Sequence, residues 1–311
     1  MANSPLILIA NTMYLTLIIY KFDYQSISQA SSDVEDIYNC SSLSNNMGRK
    51  IFVLGDLEGV SGVVKFDVDT SPQGKNYERS LKLATWELNA LIRGLRRGGA
   101  DYITFLDGHG WGGINFELIE EDVDVVLGGP LYPPFEISGE YDGLVLFAHH
   151  AMAGTPGANL CHSWSHTTIV ECRLNDKPIG EIGWYIYLAA YFNIPAILIT
   201  GDDKACLEAG QYIPNIETAI VKRGINTSTA ICKPPKIAQK IIEKAAENAM
   251  KRIDEIKPAR LPKSPYKAFR KYVDPLYVEI FLKNRPWANR VDERTIMVSS
   301  DDYLELTKLF L

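Results

Sequence analysis

Five short apolar runs, each stopped by a turn residue, constrain this chain more than any other feature. They are Ile51–Leu54, Tyr102–Leu106, Asp124–Leu127, Gly143–Ala148 and Ala196–Thr200. Continuously apolar stretches of this length read as strands covered on both faces, not strands with one wet side. Helical periodicities run between them. From Asn76 to Arg97 the apolar residues Tyr77, Leu81, Ala84, Leu88, Leu91 and Leu95 share one helix face, and Gly98-Gly99 closes it. Ile179–Tyr191 carries a second helical pattern. The alternation predicts an α/β fold with a mostly parallel, Rossmann-like three-layer sheet. Ligands of such sheets bind beyond the carboxyl ends of the strands. Here those ends carry Asp56 and Glu58, Asp107 and His109, His149 and His150, and Asp202 and Asp203.

The character changes after about Lys204. Pro234–Ile256 reads as another amphipathic helix, Leu276–Leu282 and Thr295–Ser299 as antiparallel strands, and Asp301–Leu311 as a closing helix. The expected organisation is a disordered N-terminal extension over 1–49, a metal-binding catalytic α/β domain over 50–204, and a smaller α+β domain over 205–311. Oligomerisation is expected of the last, with Phe281 and Trp287 as candidate aromatic anchors.

Residues 5–20 are apolar, but the run is shorter than the ~20 residues that cross a bilayer and contains Asn11. No Lys or Arg precedes it, as a secretory signal would require. A cytoplasmic protein is expected, with membrane anchoring through residues 5–20 as the alternative. The five scattered cysteines contain no C-x-x-C pair, which fits a reducing compartment. A net charge of −6 argues against a nucleic-acid surface, and Arg93, Arg96 and Arg97 form only the basic end of a helix.

The chemistry begins at IFVLGDLEGVSG, residues 51–62. Asp56 and Glu58, two apart in extended backbone, would face one space while Leu57 faces the core. No Lys or Arg lies between Lys50 and Lys65 to balance them, so a cation is called for. By themselves the two acids would pass for a solvated acidic turn, and any one histidine for a structural residue. However, all five histidines (His109, His149, His150, His162 and His166) lie between residues 109 and 166, three of them at strand ends. A mixed imidazole and carboxylate set suits zinc in a hydrolytic site. Two metal ions need about five or six such ligands with a shared carboxylate. Asp56, Glu58, His109, His150 and one further acid meet that need. The further acid is Glu181, which Pro178-Ile-Gly-Glu181 places in the first turn of a helix.

Seven motifs then fall in a recognisable order: Asp56-Leu-Glu-Gly-Val-Ser-Gly62, Gly74-Lys-Asn-Tyr-Glu-Arg79, Asp107-Gly-His109, His150 with Gly154-Thr-Pro-Gly157, His162-Ser163, Ile179-Gly-Glu-Ile-Gly183 and Gly201-Asp-Asp203. From about Lys50 to the C-terminus the chain resembles the zinc D-aminopeptidases, the family of the bacterial dipeptide-operon enzyme. The resemblance implies two zinc ions per subunit held by Asp56, Glu58, His109, His150 and Glu181, with Asp56 bridging. It implies His162 as a catalytic histidine outside the ligand set, a short peptide substrate and a ring-shaped homo-oligomer. The loop Ala158–Cys161 is a residue longer than the family pattern, so His166 stands as the alternative to His162. Two rival readings use the same residue types. A non-enzymatic metal- or peptide-binding transport protein would want a closed site. A dinuclear phosphoesterase would want cations near the site, for which Lys65, Lys75 and Arg79 are the candidates.

Overall fold

The computed structural model describes residues 48–120 and 122–311. The apolar stretch 5–20 and the disorder expected of the extension lie outside the described residues. The described residues form one unit by their contacts.

Seven strands make the main sheet: β1 (Arg49–Gly55), β2 (Ala100–Asp107), β3 (Asp124–Val126), β4 (Gly143–His149), β7 (Ala196–Asp202), β8 (Glu217–Asn226) and β9 (Thr229–Cys232). Their order is β3-β2-β1-β4-β7-β8-β9, parallel throughout except for the β8–β9 pair. β4 and β7 are buried along their whole length, as the unbroken apolar runs require of strands covered on both faces. A single turn, α1 (Phe66–Asp69), precedes the long helix α2 (Tyr77–Arg97). Gly99, at φ 104°, takes the left-handed conformation that lets the chain leave α2 and enter β2. Helix α5 (Pro235–Lys251) lies so close against α2 that a Cβ on Gly94 would overlap the carbonyl of Glu243.

A smaller antiparallel sheet has the order β11-β12-β10-β5-β6, from β5 (Ile169–Leu174), β6 (Lys177–Pro178), β10 (Tyr266–Tyr272), β11 (Asn289–Arg290) and β12 (Thr295–Ser300). Residue 204 therefore falls between two strands of the main sheet, which continues through β8 and β9. The smaller sheet in turn takes β5 and β6 from before that point. The closing helix α7 (Tyr303–Phe310) packs on β10 and β12 and touches α3 (Glu181–Tyr191).

One expected strand is a helix. Leu276–Leu282 lies within α6 (Pro275–Asn284): the Asp274 carboxylate caps Leu276 N–H at 2.8 Å, and Pro275 occupies the first turn. An Asp-Pro helix start outweighs the apolar alternation that follows it. Phe281 is buried under the guanidinium of Arg270 and cannot serve as a subunit anchor, whereas Trp287 stays 47% exposed. Among the described residues no helix is long and apolar enough to cross a membrane.

Candidate metal centre

The site gathers at the carboxyl edge of the main sheet, where β1, β2 and β4 end side by side. After β1 the chain turns instead of staying extended, with Val60 N–H donating to Leu57 carbonyl at 3.1 Å. Asp56 and Glu58 nevertheless face the same space, and Leu57 is fully buried. Gly59 makes the turn possible by packing on the end of β4. Its N–H donates to the Ala148 carbonyl at 2.6 Å, and a Cβ there would overlap the Ala148 backbone. Ala148 itself is held at φ 58°, a left-handed conformation costly for alanine, immediately before His149 and His150.

Two groups of side chains converge, each with ligand atoms within 4.8 Å of one another: Asp56, Glu58 and His109, and His150, His162 and Glu181. Asp56 stands between them. Its Oδ1 lies 3.2 Å from His109 Nδ1, and its Oδ2 lies 3.3 Å from His150 Nε2. His109 Nδ1 is also 3.2 Å from Glu58 Oε2, and His150 Nε2 is 3.6 Å from Glu181 Oε1.

The three histidines are wired alike. His109 Nε2–H donates to the Thr70 carbonyl at 2.8 Å, His150 Nδ1–H to that of Ala151 at 3.0 Å, and His162 Nδ1–H to that of Leu160 at 3.0 Å. A carbonyl only accepts, so each ring commits one nitrogen as donor and turns its other nitrogen, a lone pair when neutral, towards the carboxylates. Acceptor then faces acceptor across 3.2–3.6 Å at His109 and His150. Such contacts hold only with positive charge between them, supplied by a proton or a metal ion.

The proton affinities report the same surplus of negative charge. Burial works against a charged His150, but Glu181 and Asp56 outweigh it and lift the imidazole to about 10. His109 is likewise raised well above its ordinary value, with Glu58 and Asp56 overcoming burial. Burial would raise Asp56, but His109 and His150 hold its carboxyl well below the usual range. Burial dominates at Glu181 and raises it. His162 goes the other way: burial, then the charge of His150, lowers it to about 4, so its ring is neutral at physiological pH. Asp56 Oδ2, Glu58 Oε2 and His150 Nε2 are buried without a hydrogen-bond partner, which is what metal-ligand atoms require. The residues fit a metal.

The remaining strand-end residues have other work. Both carboxylate oxygens of Asp107 accept the Gly113 N–H, at 2.8 and 2.9 Å. Asp202 caps Ala205 N–H of α4 (Asp203–Tyr212) at 2.8 Å and accepts Asn159 N–H at 3.1 Å. His149 is buried with Nδ1 4.0 Å from Asp56 Oδ2, outside both groups. His166 is exposed and stacks on Phe66 at 4.0 Å, while His162 stacks on His150 at 3.9 Å. The structure thus puts His162, and not His166, within the cluster.

Sequence reasoning passed over Lys222 on β8. It is fully buried, and its ammonium donates to the Glu58 carbonyl, to the Val63 carbonyl at 2.6 Å and to Asn159 Oδ1 at 2.9 Å. Asn159 in turn donates to the Val64 carbonyl at 3.1 Å. Together they tie the loop bearing Asp56 and Glu58 to the loop bearing His162. The signal was present as a lysine directly after the apolar run Ala219–Val221, but nothing in a single sequence tells a buried lysine from a solvated one.

Comparison with known proteins decides the family. The D-aminopeptidase family model matches residues 49–311. The chain belongs to the D-aminopeptidase family. A curated D-aminopeptidase of Bacillus subtilis (strain 168) is 30% identical over 224 residues, covering 70% of this chain and 79% of the relative. Among solved structures, the Zn-dependent D-aminopeptidase DppA from Bacillus subtilis, described as a self-compartmentalizing protease, superposes with a TM-score of 0.76. It is 26% identical, and the match covers 84% of this chain and 94% of that one. As a member of the family the chain is an aminopeptidase, a hydrolase.

Proposed function

We propose that this D-aminopeptidase family member is a dinuclear zinc enzyme that removes an N-terminal D-amino acid from short peptides or amides. One observation carries the reading: buried imidazole lone pairs face buried carboxylates in two adjoining groups, and Asp56 of the first lies 3.3 Å from His150 of the second. Asp56, Glu58 and His109 would hold one zinc ion, and His150, Glu181 and Asp56 the other. Bound there, the ions would polarise the scissile carbonyl, anchor the free amine and make water acidic enough to ionise near neutral pH.

The protein's own groups supply the rest. The carbonyls of Thr70 and Ala151 fix the ligand rings and their tautomers. Trp164 N–H, at 2.6 Å, orients the Glu181 carboxylate. His162, neutral with Nδ1–H on Leu160, keeps Nε2 free to take a proton from the attacking water and return it to the leaving amine. Its place in the second group also suits a ligand, and metal content of a His162 variant separates the two roles.

The cavity around these residues, about 260 Å³, is lined by Asp56, Glu58, Thr70, His109, His162 and Glu181 among others, with no Lys or Arg among them. Arg79 is engaged by the Gly62 carbonyl at 2.9 Å. That disfavours a phosphoesterase, and the open face of the cavity disfavours a purely structural metal. The likeness to a protein described as self-compartmentalizing supports a closed, ring-shaped homo-oligomer. Free Cys161, Cys172, Cys206 and Cys232 support a cytoplasmic location. Hydrolysis of D-Ala-amide, with L-Ala-amide and a generic phosphoester as controls, tests the reading. Turnover of the phosphoester alone would overturn it.

A further inference from the structure

A second cavity, about 590 Å³, adjoins the metal-binding one. Gly108, His109, Gly110, Trp111 and Tyr185 line both, so the two meet along the loop that carries His109. Their chemistry differs sharply. The far walls of the larger cavity are apolar, from Leu54, Leu106, Ile114, Leu127, Leu131 and Phe135. Its carboxylate, Asp107, has both oxygens occupied by Gly113 N–H. Trp111, Phe116 and Leu127 at its mouth are 67%, 59% and 48% exposed, so apolar surface stands ready to be covered. The walls come from the ends of β1 and β2, from the loops that follow β2 and β3 and from α3, at the carboxyl edge where the sheet presents its ligands.

We propose that this cavity is the subsite for the side chain of the substrate's N-terminal residue, and that it selects an apolar residue larger than alanine. The proposal rests on the aminopeptidase reading above. An aminopeptidase brings the amine and the carbonyl of one residue to the same catalytic groups. The side chain between them is therefore held close to these groups, and the larger cavity opens beside one of them, His109. Its volume is more than twice that of the metal-binding cavity, far beyond what a methyl group fills. Each methylene taken out of water is worth about a fourfold gain in kcat/KM. The three extra carbons of leucine over alanine should thus give on the order of tenfold or more, after discounting for the partly exposed walls.

The test compares kcat/KM for D-Ala-amide, D-Leu-amide and D-Phe-amide with the zinc-loaded enzyme, then repeats the series with Leu127→Asp and Leu131→Asp. The expected result is D-Leu-amide preferred over D-Ala-amide by about tenfold or more. Either variant should pull that ratio back towards one. Leu127 is half exposed, so its variant should fold, which circular dichroism checks. A wild-type preference for D-Ala-amide, or a ratio the variants leave alone, overturns the subsite while the aminopeptidase reading stands. So does a preference expressed only at the second residue, D-Ala-D-Leu over D-Ala-D-Ala. A changed oligomer size in light scattering with an unchanged ratio would reassign the apolar walls to a subunit contact. No turnover of any of the amides would sink the aminopeptidase reading itself, and the subsite with it.

Discussion

Replacing Lys222 by methionine should loosen the metal site without touching a ligand. The ammonium saturates three buried acceptors: the carbonyls of Glu58 and Val63 and Oδ1 of Asn159. Leaving a buried acceptor unpaired costs about 1–3 kcal/mol, so three cost roughly 6 kcal/mol at the middle of that range. Methionine also removes a buried charge. Burial depresses the lysine from 10.5 to about 8. At about 1.4 kcal/mol per pH unit, its removal returns roughly 3.5 kcal/mol. The net loss is about 2.5 kcal/mol, or roughly 5–10 °C in Tm for a chain of this size. The Glu58 carbonyl is one of the three acceptors, so the loop that carries Asp56 and Glu58 loses its brace. Supports of this kind typically change metal affinity about 10–100-fold. Thermal unfolding of the metal-free protein measures the first effect, and zinc competition with a calibrated chelator measures the second. A lowered Tm with wild-type zinc affinity would show that Lys222 holds the core and not the site. The reasoning fails outright if neither moves.

Further outcomes follow from the same geometry. His162→Ala should keep its zinc and lose about 10²–10⁴-fold in kcat with little change in KM; zinc lost together with activity would make His162 a ligand. Gly59→Ala places a Cβ in the Ala148 backbone, so it should displace the β1 loop from β4 and lower both stability and metal content, and a variant with wild-type Tm and zinc would refute the close-packing argument. Burial raises Glu87 from 4.5 to about 8. The folded protein therefore binds the extra proton between those values, and stability contributed by this group falls as pH rises through that window. Glu87→Gln should flatten the decline between about pH 4.5 and 8 in denaturant titrations, whereas an unchanged slope would mean that another group carries it. A chain beginning at Met47 should fold and retain activity, since the family match begins at residue 49; an insoluble product would show that the preceding residues are needed.

How much of this was legible in the chain depended on the range of the forces involved. The parallel sheet was readable because Ile51–Leu54, Gly143–Ala148 and Ala196–Thr200 sit at its centre, where both faces must be apolar. Of the smaller sheet, only the antiparallel strand Thr295–Ser299, now β12, was. Tyr266–Tyr272 has alternating polarity, and its partner β5 lies nearly a hundred residues away, so only tertiary pairing defines it. α6 was missed because its apolar residues alternate locally, although Asp274-Pro275 announced a helix start. At the site, Asp56, Glu58, His109 and His150 were nameable because unbalanced acids and clustered histidines are rare in one chain segment, whereas Glu181 needed the helix start at Pro178 and His162 the family resemblance. Asp107, Asp202 and Asp203 looked equivalent at strand ends, yet each satisfies backbone N–H groups instead. The Lys222–Asn159 brace joins three loops distant in sequence, and no local pattern encodes it.

Zinc per chain, measured by inductively coupled plasma mass spectrometry on wild type and Asp56→Ala purified side by side, tests the central claim most directly. Asp56 stands 3.2 Å from His109 and 3.3 Å from His150, between the two groups. The account predicts about two zinc ions in the wild type and a loss of both in the variant. A single ion in the wild type, or two retained in Asp56→Ala, would contradict it.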